Sequence, residues 1–144
     1  ICNTRGPSGP RPHSARNLLF LAHLAAVQDA YGPATLWLGV HHDDHTGYPD
    51  CRPEFVEAAD QAVRLGTQYS LAVQAPFVPW SKADIIRWGL AHGVPYVLTH
   101  SCYQCIRPAC AVCYTCQPRL QAFAAAGAVD PIPYENAATG NVRT

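Results

Sequence analysis

The chain has 144 residues, enough for one ordinary domain with a core. Ten basic side chains balance ten acidic ones, so net charge is zero and nothing electrostatic favours nucleic acid or an anionic membrane as the main partner. Charged residues make up 14% and apolar residues 49%, against about 25% charged in ordinary soluble domains, which suggests either faces covered by something outside this chain or an alanine-rich bias.

Residues 1–15, "ICNTRGPSGPRPHSA", are rich in Pro, Gly and Ser and read as loop. A helix is predicted from Arg16 to Tyr31, ended by Gly32-Pro33. It is apolar on most sides (Leu18, Leu19, Phe20, Leu21, Leu24, Ala25, Ala26, Val27) and therefore reads as buried. Its apolar run is about twelve residues long and carries His23, short of the roughly twenty that a membrane span needs. "ATLWLGV", Ala34 to Val40, fits a buried parallel strand, and "HHDDHTGYPDC" a polar loop with turns at Thr46-Gly47 and Tyr48-Pro49.

Pro53 suits the first turn of a helix to Leu65, with Gly66 as its stop. "YSLAVQAP" is a second strand. Ser81-x-x-Asp84 resembles a capping box opening a helix to Ala91, stapled by Phe77 or Trp80 and closed by His92-Gly93. A cysteine segment follows, then a helix from Pro118 to Ala126 and a loose tail. This order implies an α/β fold with parallel pairing in a single domain: loop 1–15, a partial α/β part 16–100, a cysteine segment 101–126 and a tail 127–144. Two strands make a marginal sheet. The chain starts at Ile1 and contains no Met, so the natural polypeptide is expected to begin upstream. Its first residues are polar and unlike a signal peptide, and the expected compartment is cytoplasmic.

"SCYQCIRPACAVCYTC" holds five of the seven cysteines. Cys110, Cys113 and Cys116 repeat at C-x-x-C spacing, and Cys102 or Cys105 would complete a tetrahedral set of four. Such closed sulfur sites are structural zinc sites, with an iron–sulfur cluster as the rival. Spacing does not choose between Cys102 and Cys105. Cys2 and Cys51 stand alone and read as inert thiols.

Other polar residues have a plain and a functional reading. Arg16 and Asn17 open a helix, where free N–H groups favour an anion or simply a cap. Asp43, Asp44 and Asp50 follow the first strand, at the end where α/β sheets bind ligands, but Asp is also common in turns. Tyr48 could stack on a base or pack. Lys82 lies in the first turn of its helix, against the dipole, which a bound phosphate would explain. His41, His42 and His45 could ligate a second metal but read better as solvent-facing loop residues.

Four segments in order resemble the 7-cyano-7-deazaguanine synthase family of PP-loop ATP-pyrophosphatases: "ARNLLFLAHLAA", "GVHHDDHTGYPDCRPEF", "APFVPWSKADIIRWGLAHGVPY" and "THSCYQCIRPACAVCYTC". Thr46 to Arg52 is the most diagnostic. The resemblance implies a Rossmann-like parallel sheet, incomplete at the amino terminus, with a zinc segment held by Cys102, Cys110, Cys113 and Cys116. It leaves Cys105 as an extra thiol able to compete. It implies an ATP-dependent C–N ligase making 7-cyano-7-deazaguanine from 7-carboxy-7-deazaguanine and ammonia, with structural Zn2+ as cofactor and ATP with Mg2+ as co-substrate. Asp50 and Lys82 would be catalytic. Arg16, Asn17, Asp43, Asp44, Tyr48, Arg52 and Tyr103 would bind substrate. No metal is implied at the histidines.

The family's Ser-Gly-Gly-x-Asp-Ser phosphate loop has no counterpart here; "GPSGP" carries prolines, which lack N–H donors. The expectation is a partial synthase completed by an amino-terminal half, or a homodimer. The alternatives are a non-catalytic zinc-bearing module that binds a deazapurine or a protein, and another PP-loop enzyme such as a tRNA-thiolating one. The zero charge argues against the last.

Overall fold

The computed structural model describes residues 15–104 and 107–135. The readings for residues 1–14, for Cys105 and for the tail past Glu135 lie outside them. The described residues form two compact units, 15–82 and 83–135.

In the first unit, α1 (Arg16–Gln28) and a 3-10 turn (Asp29–Tyr31) lead into β1 (Ala34–Trp37). A polar loop carrying two 3-10 turns reaches α2 (Pro53–Gly66), which returns the chain to β2 (Leu71–Gln74). The strands pair in parallel, Ala34 opposite Leu71 and Leu36 opposite Val73. β1 stops earlier than Val40: Leu38 still donates to the Gln74 carbonyl at 2.8 Å, but β2 ends there, two residues before Pro76. Side chains alternate across a strand, so Leu36, Leu71 and Val73 share one face, and there they join Leu21, Ala25, Ala59 and Val63 in the core. Pro53 opens α2, where its missing N–H costs nothing. Gly66 is still helical; Thr67 ends the helix, its backbone N–H and hydroxyl both donating to Val63 O. The Asp60 carboxylate ties α2 to β2 by accepting from the Val73 amide at 2.6 Å, and it pairs with Arg64 at 2.7 Å.

α1 departs from expectation. Only Leu21 and Ala25 are buried, while Leu19 is 67% and Phe20 56% exposed. Apolar residues all round a helix need neighbours all round it. Within this unit α1 has the sheet beneath it and α2 on one flank.

In the second unit, α3 (Lys82–Ala91, its first residue belonging to the first unit) ends at Gly93, whose φ of +71° lets the Val94 amide turn back to Gly89 O at 2.9 Å. α4 (Cys116–Ala125) starts two residues before Pro118, which sits in its first turn. Phe123 packs edge-on against Tyr96, beside Ile86 and Ala122.

A buried ion pair organises this unit. Arg119 Nε donates to Asp130 Oδ2 at 2.5 Å and Nη2 to Oδ1 at 2.9 Å. Arg119 Nη1 reaches Thr99 Oγ1 at 2.8 Å, and the Tyr134 hydroxyl donates to Asp130 at 2.7 Å. Burial opposes charge on Asp130, but the Arg119 and Tyr134 hydrogen bonds outweigh it and hold its pKa below the usual carboxylate value. Arg119→Met leaves Asp130 buried and uncompensated, and should cost about 3–5 kcal/mol in urea unfolding at pH 7. A depressed carboxylate pKa contributes stability above the unfolded value near 3.9 and loses it as pH falls, so the mutant's deficit should shrink toward pH 3. A loss under about 1 kcal/mol would refute this account of the pair.

Candidate functional site

Two groups of polar side chains stand out, one in each unit. In the second, Cys102, Cys110, Cys113 and Cys116 converge, with all four sulfurs within 4.8 Å of one another. Cys102 and Cys110 sulfurs lie 3.6 Å apart, close to the ~3.8 Å edge of a tetrahedron with metal–sulfur bonds of about 2.3 Å. All four are free thiols, and Cys102, Cys110 and Cys116 are buried. Thr115 builds the pocket wall: its hydroxyl donates to Ser101 O at 2.5 Å and lies 3.3 Å from Cys113 Sγ. Burial pushes the Cys113 thiol up. The Thr115 hydroxyl and the amides of Tyr103, Cys116 and Thr115 outweigh it and hold the pKa at about 5. Cys116, with burial and its neighbouring cysteines acting on it, is pushed well up. The set can hold a soft metal ion with no position left for water. Tyr103 is half-buried in this unit and contributes its backbone N–H.

In the first unit the loop after β1 bears the predicted acidic residues, and their carboxylates are engaged. Asp50 is 6% exposed. Its Oδ2 accepts the Asn17 amide at 2.9 Å, and Asn17 Nδ2 donates back to the Asp50 carbonyl at 2.9 Å. The cause is local: Ala15, the residue preceding α1, has a left-handed φ of 69° and no side chain that could cap. A carboxylate 33 positions away takes that job. Asn17 Nδ2 also reaches Cys51 Sγ at 3.5 Å. Burial, then Asp44 and Asp50, push the Cys51 thiol up to about 11, so it is protonated and unreactive at neutral pH. Arg16 is exposed, close enough to Cys51 to oppose that shift.

Asp43 does for α3 what Asp50 does for α1, with Oδ2 accepting the Lys82 amide at 2.8 Å. The anion that the dipole at this end favours is thus a side chain of the loop. Arg52 Nε donates to His45 O at 2.9 Å and pins the loop, and Tyr48 is half-buried within it.

The histidines need correction. His41 is 7% exposed, not solvent-facing. It follows the buried Val40, and the 3-10 turn after it brings its Nε2 to 3.1 Å from Asp44 Oδ2. Burial depresses its pKa, Asp44 opposes and nearby Lys82 reinforces, so the neutral ring donates from Nε2 to Asp44. Its Nδ1 is buried with no partner among the described residues. The i, i+3 spacing to Asp44 was the available signal. His42 is exposed as expected, and His45 is half-buried. Among the described residues no second cluster of three metal donors exists.

The first unit thus brings together Asn17, Asp50 and Cys51 at one helix start, Asp43 and Lys82 at another, and His41 with Asp44 between them in sequence. Among the described residues no helix is long and apolar enough to cross a membrane.

Comparison with known proteins agrees with the earlier resemblance. Residues 13–127 match the family profile of the queuosine biosynthesis protein QueC. The chain is 48% identical over 122 residues to a 7-cyano-7-deazaguanine synthase of Methanoculleus marisnigri, covering 83% of this chain and 55% of the relative. It is 44% identical over 121 residues to that of Oceanobacillus iheyensis (83% and 55%), and 43% over 125 residues to that of Thermoplasma acidophilum (84% and 52%). The chain spans about half the length of the relatives it matches. An α/β chain with a small parallel sheet, a cysteine quartet and a match over residues 13–127 belongs to the QueC family.

Proposed function

We propose that the chain supplies the substrate-loop and zinc-bearing part of a 7-cyano-7-deazaguanine synthase with a Rossmann-like PP-loop fold, an ATP-dependent ligase of queuosine and deazapurine synthesis acting in the cytoplasm on small molecules. The observation that carries this reading is the Thr46–Arg52 stretch. It is the most diagnostic part of the family pattern, and it lies in the loop that places Asp50 against the start of α1.

The chemistry suits such a loop. A carboxylate is a poor electrophile. Adenylation by ATP, with Mg2+, forms a P–O bond between a carboxylate oxygen and the AMP phosphorus and breaks that phosphorus's bond to pyrophosphate, which leaves. Ammonia then displaces AMP to give the amide and a proton. A second adenylation, on the amide oxygen, releases pyrophosphate, and departure of AMP with loss of both amide N–H protons forms the nitrile. The protein mainly orients reactants and stabilises charge. Asp50 keeps Oδ2 on Asn17 and offers Oδ1 to ring or amino N–H groups, or to a proton leaving the nitrogen. Asp44, fixed by His41, is a second acceptor. Tyr48 stacks on the base, Arg16 and Arg52 neutralise the substrate carboxylate, and Lys82 serves the nucleotide phosphates once Asp43 releases its amide. Cys102, Cys110, Cys113 and Cys116 would hold Zn2+, which, with every position filled by sulfur, contributes folding energy and no Lewis-acid chemistry.

A second reading, a non-catalytic zinc-bearing module, is favoured by one observation: Asp43 and Asp50 are already spent on backbone amides. The discriminating assay joins this chain to the unmatched part of the Methanoculleus marisnigri relative and supplies 7-carboxy-7-deazaguanine, ammonia and ATP. AMP release with appearance of the nitrile by mass spectrometry is the expected result. Binding of the deazapurine without turnover would establish the module.

A further inference from the structure

Of the three acidic residues in the loop after β1, two place their carboxylates on backbone amides, Asp50 at Asn17 and Asp43 at Lys82. Asp44 is held differently. Its Oδ2 meets a side chain, His41 Nε2, at 3.1 Å, and its own side chain stays 33% exposed. The backbone sets up the pair: the Asp44 amide donates to His41 O at 3.1 Å, and Asp44 O accepts the Tyr48 amide at 2.9 Å. Next to it, the His42 amide donates to Trp80 O at 2.9 Å and anchors the loop just ahead of α3. His41 is buried, and its Nδ1 is sealed with no partner among the described residues. A buried polar atom without a partner costs stability. In a packing role alone, leucine would fill the space without that cost. What the ring supplies instead is the Nε2–H on Asp44. Folded chains break a local rule in this way where a site requires it.

The choice of histidine carries information too. A lysine or arginine here would fix Asp44 but cancel its charge. A neutral imidazole fixes it and leaves the charge to act on a ligand. Burial is the largest influence on the ring and disfavours its charged form. Lys82 and His45 act in the same direction, and Asp44 and Asp43 oppose them without prevailing. The ring is thus held below its ordinary pKa and is uncharged at neutral pH.

We propose that His41 is a positioning residue: its Nε2–H fixes Asp44 so that Oδ1 accepts an N–H of a guanine-like heterocycle. The identity of the heterocycle rests on the synthase reading, and the His41–Asp44 pair rests on geometry. Protonation of the ring would turn the pair into an ion pair and weaken Asp44 as an acceptor. Ligand affinity is therefore full while the ring is neutral and is lost as pH falls through its protonation.

The pair is tested first on the 144-residue chain, by NMR of the imidazole nitrogens. The expected result is hydrogen on Nε2, a bare Nδ1, and protonation below the ordinary histidine value of about 6.5. Hydrogen on Nδ1, or protonation at or above that value, overturns the proposal. The role is then tested on the fusion described above, by calorimetric affinity for 7-carboxy-7-deazaguanine. His41→Leu removes the donor and should weaken binding about 10–100-fold, the effect of one hydrogen bond to a charged group, with an unfolding midpoint no lower than wild type. His41→Gln sets an amide N–H near the place of Nε2 and should bind within about threefold of wild type at neutral pH. As pH falls through the protonation seen by NMR, wild-type affinity should drop and that of His41→Gln should not. Wild-type affinity in His41→Leu, His41→Gln as weak as His41→Leu, or one pH dependence shared by wild type and His41→Gln overturns the proposal. A lowered midpoint in both variants with binding weakened in parallel also overturns it, by assigning the ring to the fold. Nitrile formation is a separate readout. The expected binding pattern without turnover sinks the synthase reading alone, turnover with binding indifferent to His41 sinks the positioning role alone, and a wild-type fusion that neither binds nor turns over sinks both.

Discussion

Cys113→Ser is expected to empty the sulfur site and unfold the segment around it. The apolar cluster here is built largely from the cysteines themselves: Cys102, Cys110 and Cys116 with Ala109 and Ile132. Between the 3-10 turn at Tyr96–Leu98 and α4, the described residues hold no helix or strand beyond a single bridge from Ala109 to Tyr134. Apart from the Arg119–Asp130 network, the four converging sulfurs are the main feature that could organise such a stretch, through a metal. Structural zinc contributes on the order of 10 kcal/mol in small domains, and that energy is folding energy. A serine hydroxyl is neither soft nor deprotonated at pH 7, so three thiolates remain. Metal per chain should fall from about one to below about 0.2 by elemental analysis, and amides of residues 107–115 should lose exchange protection. Those of α2 and β2 should not change. Cys51→Ser, at a thiol in the other unit, is the control and should keep full metal. Wild-type metal content in Cys113→Ser would show that the ligand set is wrong and would turn attention to Cys105.

How far the residues foretold this arrangement depends on how local each cause is. Pro53, Gly93 and the short apolar runs "ATLWLGV" and "YSLAVQAP" act within a few residues, and the elements they signal form in those segments, with β1 stopping short of Val40. Spacing brings Cys110, Cys113 and Cys116 to one α4 start and its approach. The burial of α1 was not legible, because it depends on what lies beside the helix. The Asn17–Asp50 link was hidden for a related reason: it arises from Ala15 being unable to cap, and its partner is 33 residues away. Arg119 with Asp130 had no signal at all. Charged residues are rarely buried, and nothing in "QPRLQAF" sets Arg119 apart from a solvated arginine.

Asp50→Asn separates the cap that the structure shows from the site role proposed for the residue. As a cap it needs only an acceptor for the Asn17 amide, now 2.9 Å from Oδ2. The amide oxygen of Asn can take that bond, so the fold should survive with a loss of about 1 kcal/mol. In the proposed site role it would need charge and a second acceptor, and Asn offers an N–H₂ donor where Oδ1 stood. A donor there faces the substrate's own N–H groups and leaves a buried clash of like dipoles. Removing one aimed polar group typically costs about 10²–10³ in turnover, and loss of the charge should place this change at the upper end. In the fusion with the relative's missing part, nitrile formation should fall by about that factor while metal content and the unfolding midpoint stay near wild type. Asp50→Ala should lose both, adding a stability deficit from the uncapped α1. Turnover within about threefold of wild type in Asp50→Asn, on the free-energy scale where tenfold is 1.4 kcal/mol, would leave Asp50 as a helix cap and move the acceptor role to Asp44, the carboxylate that His41 holds.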